Sequence, residues 1–83
     1  MAKIEIFSSP QCGYCNQAKD LLRGKDLAFE DLDISEDAHR QAFMDRLPRA
    51  RAIPQIFIDG EHIGGYEDLR LLDENGRLDE MVR

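Results

Sequence analysis

Strand and helix signals alternate along this chain, and turn-forming residues separate them at Ser8-Ser9-Pro10, Gly24, Pro48, Asp59-Gly60 and Asn75-Gly76. Residues 3–7 hold Ile4, Ile6 and Phe7 around Glu5, a β-branched and aromatic stretch that predicts a short strand. Ala18, Leu21 and Leu22 then recur at helical spacing, with Gln17, Lys19, Asp20 and Arg23 between them, which predicts a helix from about Tyr14 to Gly24. Residues 27–34 place Phe29, Leu32 and Ile34 among acids and predict a second strand. Ser35-Glu36-Asp37-Ala38 opens a second helix with acids in its first turn, running through Ala42, Phe43 and Leu47 to a stop near Pro48. The apolar run Pro54-Gln55-Ile56-Phe57-Ile58, the turn Asp59-Gly60 and Glu61-His62-Ile63 read as a β-hairpin. Gly64-Gly65 leads into a helix with Tyr66, Leu69 and Leu72, closed by Asn75-Gly76. A short amphipathic tail with Leu78, Met81 and Val82 follows. The order β-α-β-α-β-β-α predicts an α/β fold: a four-stranded mixed sheet flanked by helices on both faces.

The chain's 83 residues suffice for one domain, spanning 1–83, and are too few for two. Seventeen acidic against 11 basic residues give a net charge of −6, with acids gathered between Glu30 and Asp37. A phosphate backbone would be repelled, so no nucleic-acid partner is expected, although Arg46, Arg49 and Arg51 form a local basic cluster able to meet a small anion. The N-terminal stretch has an acid among its apolar residues and lacks an export signal, and no run approaches the ~18 apolar residues of a membrane-spanning helix. A soluble, cytoplasmic protein with no membrane partner is expected. Structural disulfides are rare in that compartment, so Cys12 and Cys15 call for a chemical explanation.

Cys12-Gly13-Tyr14-Cys15 falls just after a strand and at the start of a helix, the setting in which a C-x-x-C pair carries redox chemistry. A thiol at a helix N-terminus meets unpaired backbone N–H groups and the positive end of the dipole, and both favour the nucleophilic thiolate. Cys12, nearer solvent, is expected to attack, and Cys15, one turn deeper, to resolve the resulting mixed disulfide. Gly13 lets a partner's backbone approach closely, and Tyr14 covers one side of the site. Two plainer readings stand beside this one. Half of a zinc site would need further ligands, for which His39 and His62 lack paired spacing; the other reading is two inert buried thiols.

Cys12-Gly13-Tyr14-Cys15, Ile53-Pro54-Gln55-Ile56-Phe57-Ile58 and Gly64-Gly65-Tyr66-Glu67-Asp68, in that order, resemble the glutaredoxins over nearly the whole chain. The chain's length and His62-Ile63-Gly64-Gly65 are most similar to the small bacterial glutaredoxin 3 group. The resemblance implies a thioredoxin-like fold and a glutathione-disulfide oxidoreductase that takes glutathione as reducing co-substrate and requires no bound cofactor. Carried over by position, it implies that Ile53 offers its backbone N–H and C=O to the cysteinyl part of glutathione, next to a cis Pro54. Gly65, Tyr66 and Glu67 would cradle the γ-glutamyl carboxylate at a helix N-terminus. Asp68 would accept from the γ-glutamyl amine or merely complement the helix dipole. Arg51, with Arg49 as substitute, would meet the glycyl carboxylate, and Tyr14 would wall the site.

Three departures from the resembling family stand out. Ser9 occupies a position where many glutaredoxins carry a lysine, and Lys19 lies two helical turns beyond Cys12, too far to replace it. Ala52 replaces a frequent threonine. Gly13 replaces a common proline, which keeps open a second function: a dimer holding a [2Fe–2S] cluster through Cys12 of each chain and two glutathiones. A third reading is a thioredoxin-like donor recharged by a flavoprotein reductase. The leading expectation is a monomer that reduces protein disulfides and glutathione mixed disulfides, with ribonucleotide reductase among the partners that the resemblance implies.

Overall fold

A computed structural model describes residues 2–83; Met1, the first residue of the stretch read for an export signal, lies outside the described residues. The elements follow the order β1 (Ile4–Ser8), α1 (Gly13–Gly24), β2 (Glu30–Asp33), α2 (Asp37–Arg46), β3 (Gln55–Ile58), β4 (Glu61–Gly64), α3 (Tyr66–Glu74) and α4 (Arg77–Met81). The strands form one sheet in the order β2-β1-β3-β4. β1 runs parallel to β2, with Phe7 opposite Leu32, and antiparallel to β3, with Ile6 opposite Ile56. β3 and β4 form the expected hairpin. Its two-residue turn holds Asp59 at φ 51° and Gly60 at φ 84°, the pair of positive φ values that matches the twist of the flanking strands.

Alternation along the strands sorts their side chains onto two cores. Ile4, Ile6, Ile56 and Ile58 pack with Ala18 and Leu22 of α1, Leu69 of α3 and Leu78 of α4. Phe7, Leu32 and Phe57 pack with Phe43 of α2 on the second side. There Phe7 meets Phe43 and Phe57 edge to face, with centroids 5.4 and 6.0 Å apart. Each fully buried aliphatic or aromatic side chain contributes about 1.5–3 kcal/mol.

The expected mixed sheet with helices on both faces is present, and three local readings are corrected. The amphipathic tail forms its own helix, α4, because Leu78 is completely buried against the first core. Helix α2 stops at Arg46, with Leu47 as its cap, ahead of Pro48. Lys19, read among the polar residues of α1, lies on the buried stripe Cys15, Ala18, Lys19, Leu22, whereas Leu21 is only half-buried. Its ammonium is 2.8 Å from Asp31 on β2, which makes that burial tolerable.

Candidate active site

The residues that carry the chemistry converge where β1 ends, α1 begins, and the chain enters β3 and α3. Cys12 is the N-cap of α1, with extended backbone at φ −95° and ψ 116°, and its sulfur accepts the N–H of Cys15 at 3.2 Å. A cysteine thus takes the place usually held by a serine or aspartate oxygen, and one orphan N–H of the first turn, that of Cys15, points at its sulfur. Cys12 is half-buried and Cys15 fully buried, and both are free thiols. Burial, reinforced by the hydrogen bond to Cys12, pushes the Cys15 thiol up to about 12, against smaller lowering effects of the Ser9 backbone and the Lys19 charge. The solvent-facing thiol and the deep thiol therefore have different environments one helical turn apart.

Across the groove, the Cys12 thiol donates to the carbonyl of Ile53 at 3.8 Å. The Ile53–Pro54 peptide bond is cis, as the resemblance implied, and Pro54 is buried. Gly65, the N-cap of α3, lies close behind: a Cβ on it would sit 3.5 Å from the Pro54 carbonyl. Gly64 has φ 120°, and a Cβ there would run into the Asp68 carboxylate, so only glycine suits the approach to α3. Asp68 reaches back to accept the Gly65 N–H at 2.9 Å, the half of a capping box that a carboxylate supplies. The first-turn N–H groups of Tyr66 and Glu67 have no intrahelical acceptor and face outward from the helix start. Tyr14, 61% exposed, stacks on Tyr66 with centroids 6.1 Å apart, joining the starts of α1 and α3 into one wall.

Cys12, Cys15, Tyr14, Ile53, Pro54, Gly65, Tyr66 and Asp68 are thus brought to one end of the sheet. The Glu67 carboxylate turns away to Arg70 at 2.7 Å, and that pairing holds it below the usual carboxylate range, so its backbone is the part available to a ligand. Arg51 and Arg49 are exposed and form no ion pair among the described residues. Arg46 leaves the basic cluster altogether. It grips Glu5 through two hydrogen bonds of 3.1 and 3.2 Å and lies 3.9 Å over the Phe57 ring. Reading the sequence missed the Lys19–Asp31 pair behind the cysteines. The spacing Cys15 to Lys19, four residues on one helix, was the available signal. Among the described residues no group of three or more His, Cys, Asp or Glu side chains is arranged to hold a metal ion.

A half-exposed thiol capping a helix, a buried second thiol beneath it and a cis-proline loop opposite define a thiol–disulfide exchange site on a thioredoxin-like sheet. The chain belongs to the glutaredoxin family, whose sequence model matches residues 4–63, and it is a thiol-disulfide oxidoreductase. It is 41% identical to glutaredoxin 3 of Escherichia coli K12 over 83 residues, which is 100% of each chain. The solution structure of a glutaredoxin from Brucella melitensis superposes with a TM-score of 0.81 at 37% identity, covering 99% of this chain and 89% of that one. The crystal structure of a buckwheat glutaredoxin–glutathione complex superposes with a TM-score of 0.85 at 27% identity, covering 95% and 74%.

Proposed function

We propose that the chain is a glutathione-dependent reductase of protein disulfides and glutathione mixed disulfides, with Cys12 as nucleophile and Cys15 as resolving thiol. The observation that carries this reading is the groove itself. The capped Cys12 sulfur lies within 3.8 Å of the Ile53 carbonyl, and the open N-terminus of α3 stands beyond Pro54. An extended γ-glutamyl-cysteinyl-glycine fits its chemistry: the backbone of Ile53 for the cysteinyl peptide, and the N–H groups of Tyr66 and Glu67 for the γ-glutamyl carboxylate. Asp68, fixed by the Gly65 N–H through one oxygen, offers the other to the α-amine. Arg51, exposed in the loop before Ile53, serves the glycyl carboxylate, with Tyr14 along the side. The bound glutathione of the buckwheat protein supports this reading.

The exchange follows from the two thiol environments. The Cys12 thiolate attacks one sulfur of the target disulfide, a mixed disulfide forms at Cys12, and the other half of the target leaves as a thiolate that takes up a proton. Either Cys15 or a glutathione thiolate then displaces the remaining half from Cys12. Glutathione supplies the two electrons that return the pair to the dithiol, so no bound cofactor is needed. We take the 83 residues to work as one cytoplasmic domain and as a monomer. Among the described residues no helix is long and apolar enough to cross a membrane. Disulfides of thiol-dependent enzymes such as ribonucleotide reductase are the protein substrates that the family resemblance suggests.

The decisive assay is reduction of a small glutathione mixed disulfide with glutathione, glutathione reductase and NADPH, comparing the parent with Cys12→Ser and Cys15→Ser. Activity lost in Cys12→Ser and kept in Cys15→Ser is the expected result, because glutathione can resolve the intermediate. A parent without glutathione-dependent turnover removes glutathione as its electron source.

A further inference from the structure

Behind the two cysteines lies a charge pair, a buried Lys19 and an exposed Asp31, that the exchange chemistry above leaves unused. Lys19 is 6% exposed and shares with Cys15 the stripe of α1 that faces the sheet. Its ammonium lies 2.8 Å from one carboxylate oxygen of Asp31 on β2, and the other oxygen accepts the hydroxyl of the buried Ser8, the last residue of β1. Residues four apart on a helix lie on one face with Cβ atoms about 5–6 Å apart, and side chains lean toward the helix N-terminus, so the Lys19 stem slopes toward the turn that carries Cys15. Asp31 and Ser8 keep the ammonium there. The Asp31 carboxylate is 41% exposed, and an ion pair open to water on one side is a weak source of stability. Its place beneath a thiol that must bear charge gives it another use.

We propose that Lys19, held by Asp31 and Ser8, is a positioning residue for the Cys15 sulfur, stabilising the negative charge that this sulfur carries whenever the Cys12–Cys15 disulfide is made or broken. The inference rests on the dithiol reading above. In the resolving step Cys15 gives its proton to solvent and its thiolate attacks the Cys12 sulfur. The Cys12–Cys15 bond forms, the bond from Cys12 to the substrate half breaks, and that half leaves as a thiolate protonated from solvent. In the return step a glutathione thiolate attacks Cys12 and Cys15 departs as a thiolate. A lower-energy leaving thiolate departs faster, so the same charge assists both directions. Cys12, half-buried at the helix start with its sulfur on the Cys15 N–H and the Ile53 carbonyl, draws on backbone groups instead, so glutathione exchange at Cys12 alone does not need Lys19.

The two steps separate in a stopped-flow reaction of the reduced protein with the chromogenic disulfide 5,5′-dithiobis(2-nitrobenzoate). A first, second-order phase releases one chromophore as Cys12 attacks. A second, first-order phase releases another as Cys15 resolves, and it is absent in Cys15→Ser. Lys19→Met is expected to slow the second phase about tenfold, as for one unit charge a helical turn away in a partly buried site, and to leave the first within about twofold. Lys19→Arg is expected to restore the second phase. A second phase unaffected in folded Lys19→Met, or not restored by arginine, overturns the inference while the glutathione reading stands. If Lys19→Met does not fold, Lys19→Gln, which keeps a polar head for Asp31, carries the test: it should slow the second phase in the same way, and an unchanged second phase overturns the inference. A parent lacking the first phase overturns the dithiol reading and this inference with it.

Discussion

The segment Ser8-Ser9-Pro10-Gln11 that delivers Cys12 to its cap contains no cation, and Ser9 meets Cys12 only through its carbonyl, which accepts the Cys12 N–H at 3.2 Å. Ser9→Lys should therefore favour the Cys12 thiolate and lower the KM for glutathione roughly two- to fivefold, the effect of a partly exposed charge near a helix N-terminus. Steady-state kinetics and the rate of iodoacetamide alkylation at neutral pH read the two effects, and values equal to the parent's would show that backbone groups alone set the charge on Cys12. Arg46 makes the opposite case, a charge whose use is structural. Its partner Glu5 has a side chain only 12% exposed, so Arg46→Met strips both its hydrogen bonds to the guanidinium, leaves only the Lys3 ammonium 4.0 Å away and should cost about 1–3 kcal/mol in urea unfolding, with the Cys12 chemistry intact. Glu5→Leu combined with Arg46→Met should recover most of that loss; a double variant as unstable as the single one would mean that the stacking on Phe57 dominates. The place of the cysteines at a helix start was legible because the strand signal ends at Ser8-Ser9-Pro10 and the helical spacing begins just after them. Arg46 and Lys19 were not, since each is explained by a carboxylate that only the sheet brings near: Glu5, 41 positions away, and Asp31 on β2.

At the scale of elements, the strands, α1 and the hairpin were legible because each carries its own period or turn. Ile56-Phe57-Ile58 with Asp59-Gly60 needs no partner to announce a hairpin. Helix α4 was hidden for the converse reason. Five residues form too short a helix to be stable alone, and only docking makes it one. Apolar packing docks it, through Leu78, fully buried in the first core, and the partly buried Met81 beside it, together with Lys25 at the end of α1, whose ammonium bridges Asp73 of α3 at 2.7 Å and Asp79 of α4 at 2.9 Å. The bridge is half-exposed and adds little, so the apolar contact dominates. Leu78→Ala should lower unfolding stability by about 2–4 kcal/mol, and Asp79→Asn by much less, both read from urea midpoints. A Leu78→Ala cost of only a few tenths would show that the tail does not contribute to the core.

The whole molecule sets a buried thiol into the layer between α1 and the sheet, and this ties its stability to pH. Cys15 is completely buried, and burial, with the hydrogen bond to Cys12, lifts its ionisation from the ordinary 9.0 to about 12. In the unfolded chain the same thiol ionises near its ordinary value. Below about 9 both states hold the proton, and the contribution of the protonated thiol is fully present. As pH climbs from about 9 toward 12, the unfolded state gains by ionising while the folded state does not, so stability falls, and above about 12 the contribution is gone. Urea unfolding of the reduced protein at pH 7, 9, 10 and 11 should therefore show a decline that is steeper in the parent than in Cys15→Ala. The other side chains are common to both proteins, and the lower absolute stability of the alanine variant does not enter the slope. Parallel declines would mean that Cys15 ionises as readily in the fold as outside it, and the difference between the half-buried Cys12 and the deep Cys15 would then rest on access to solvent alone.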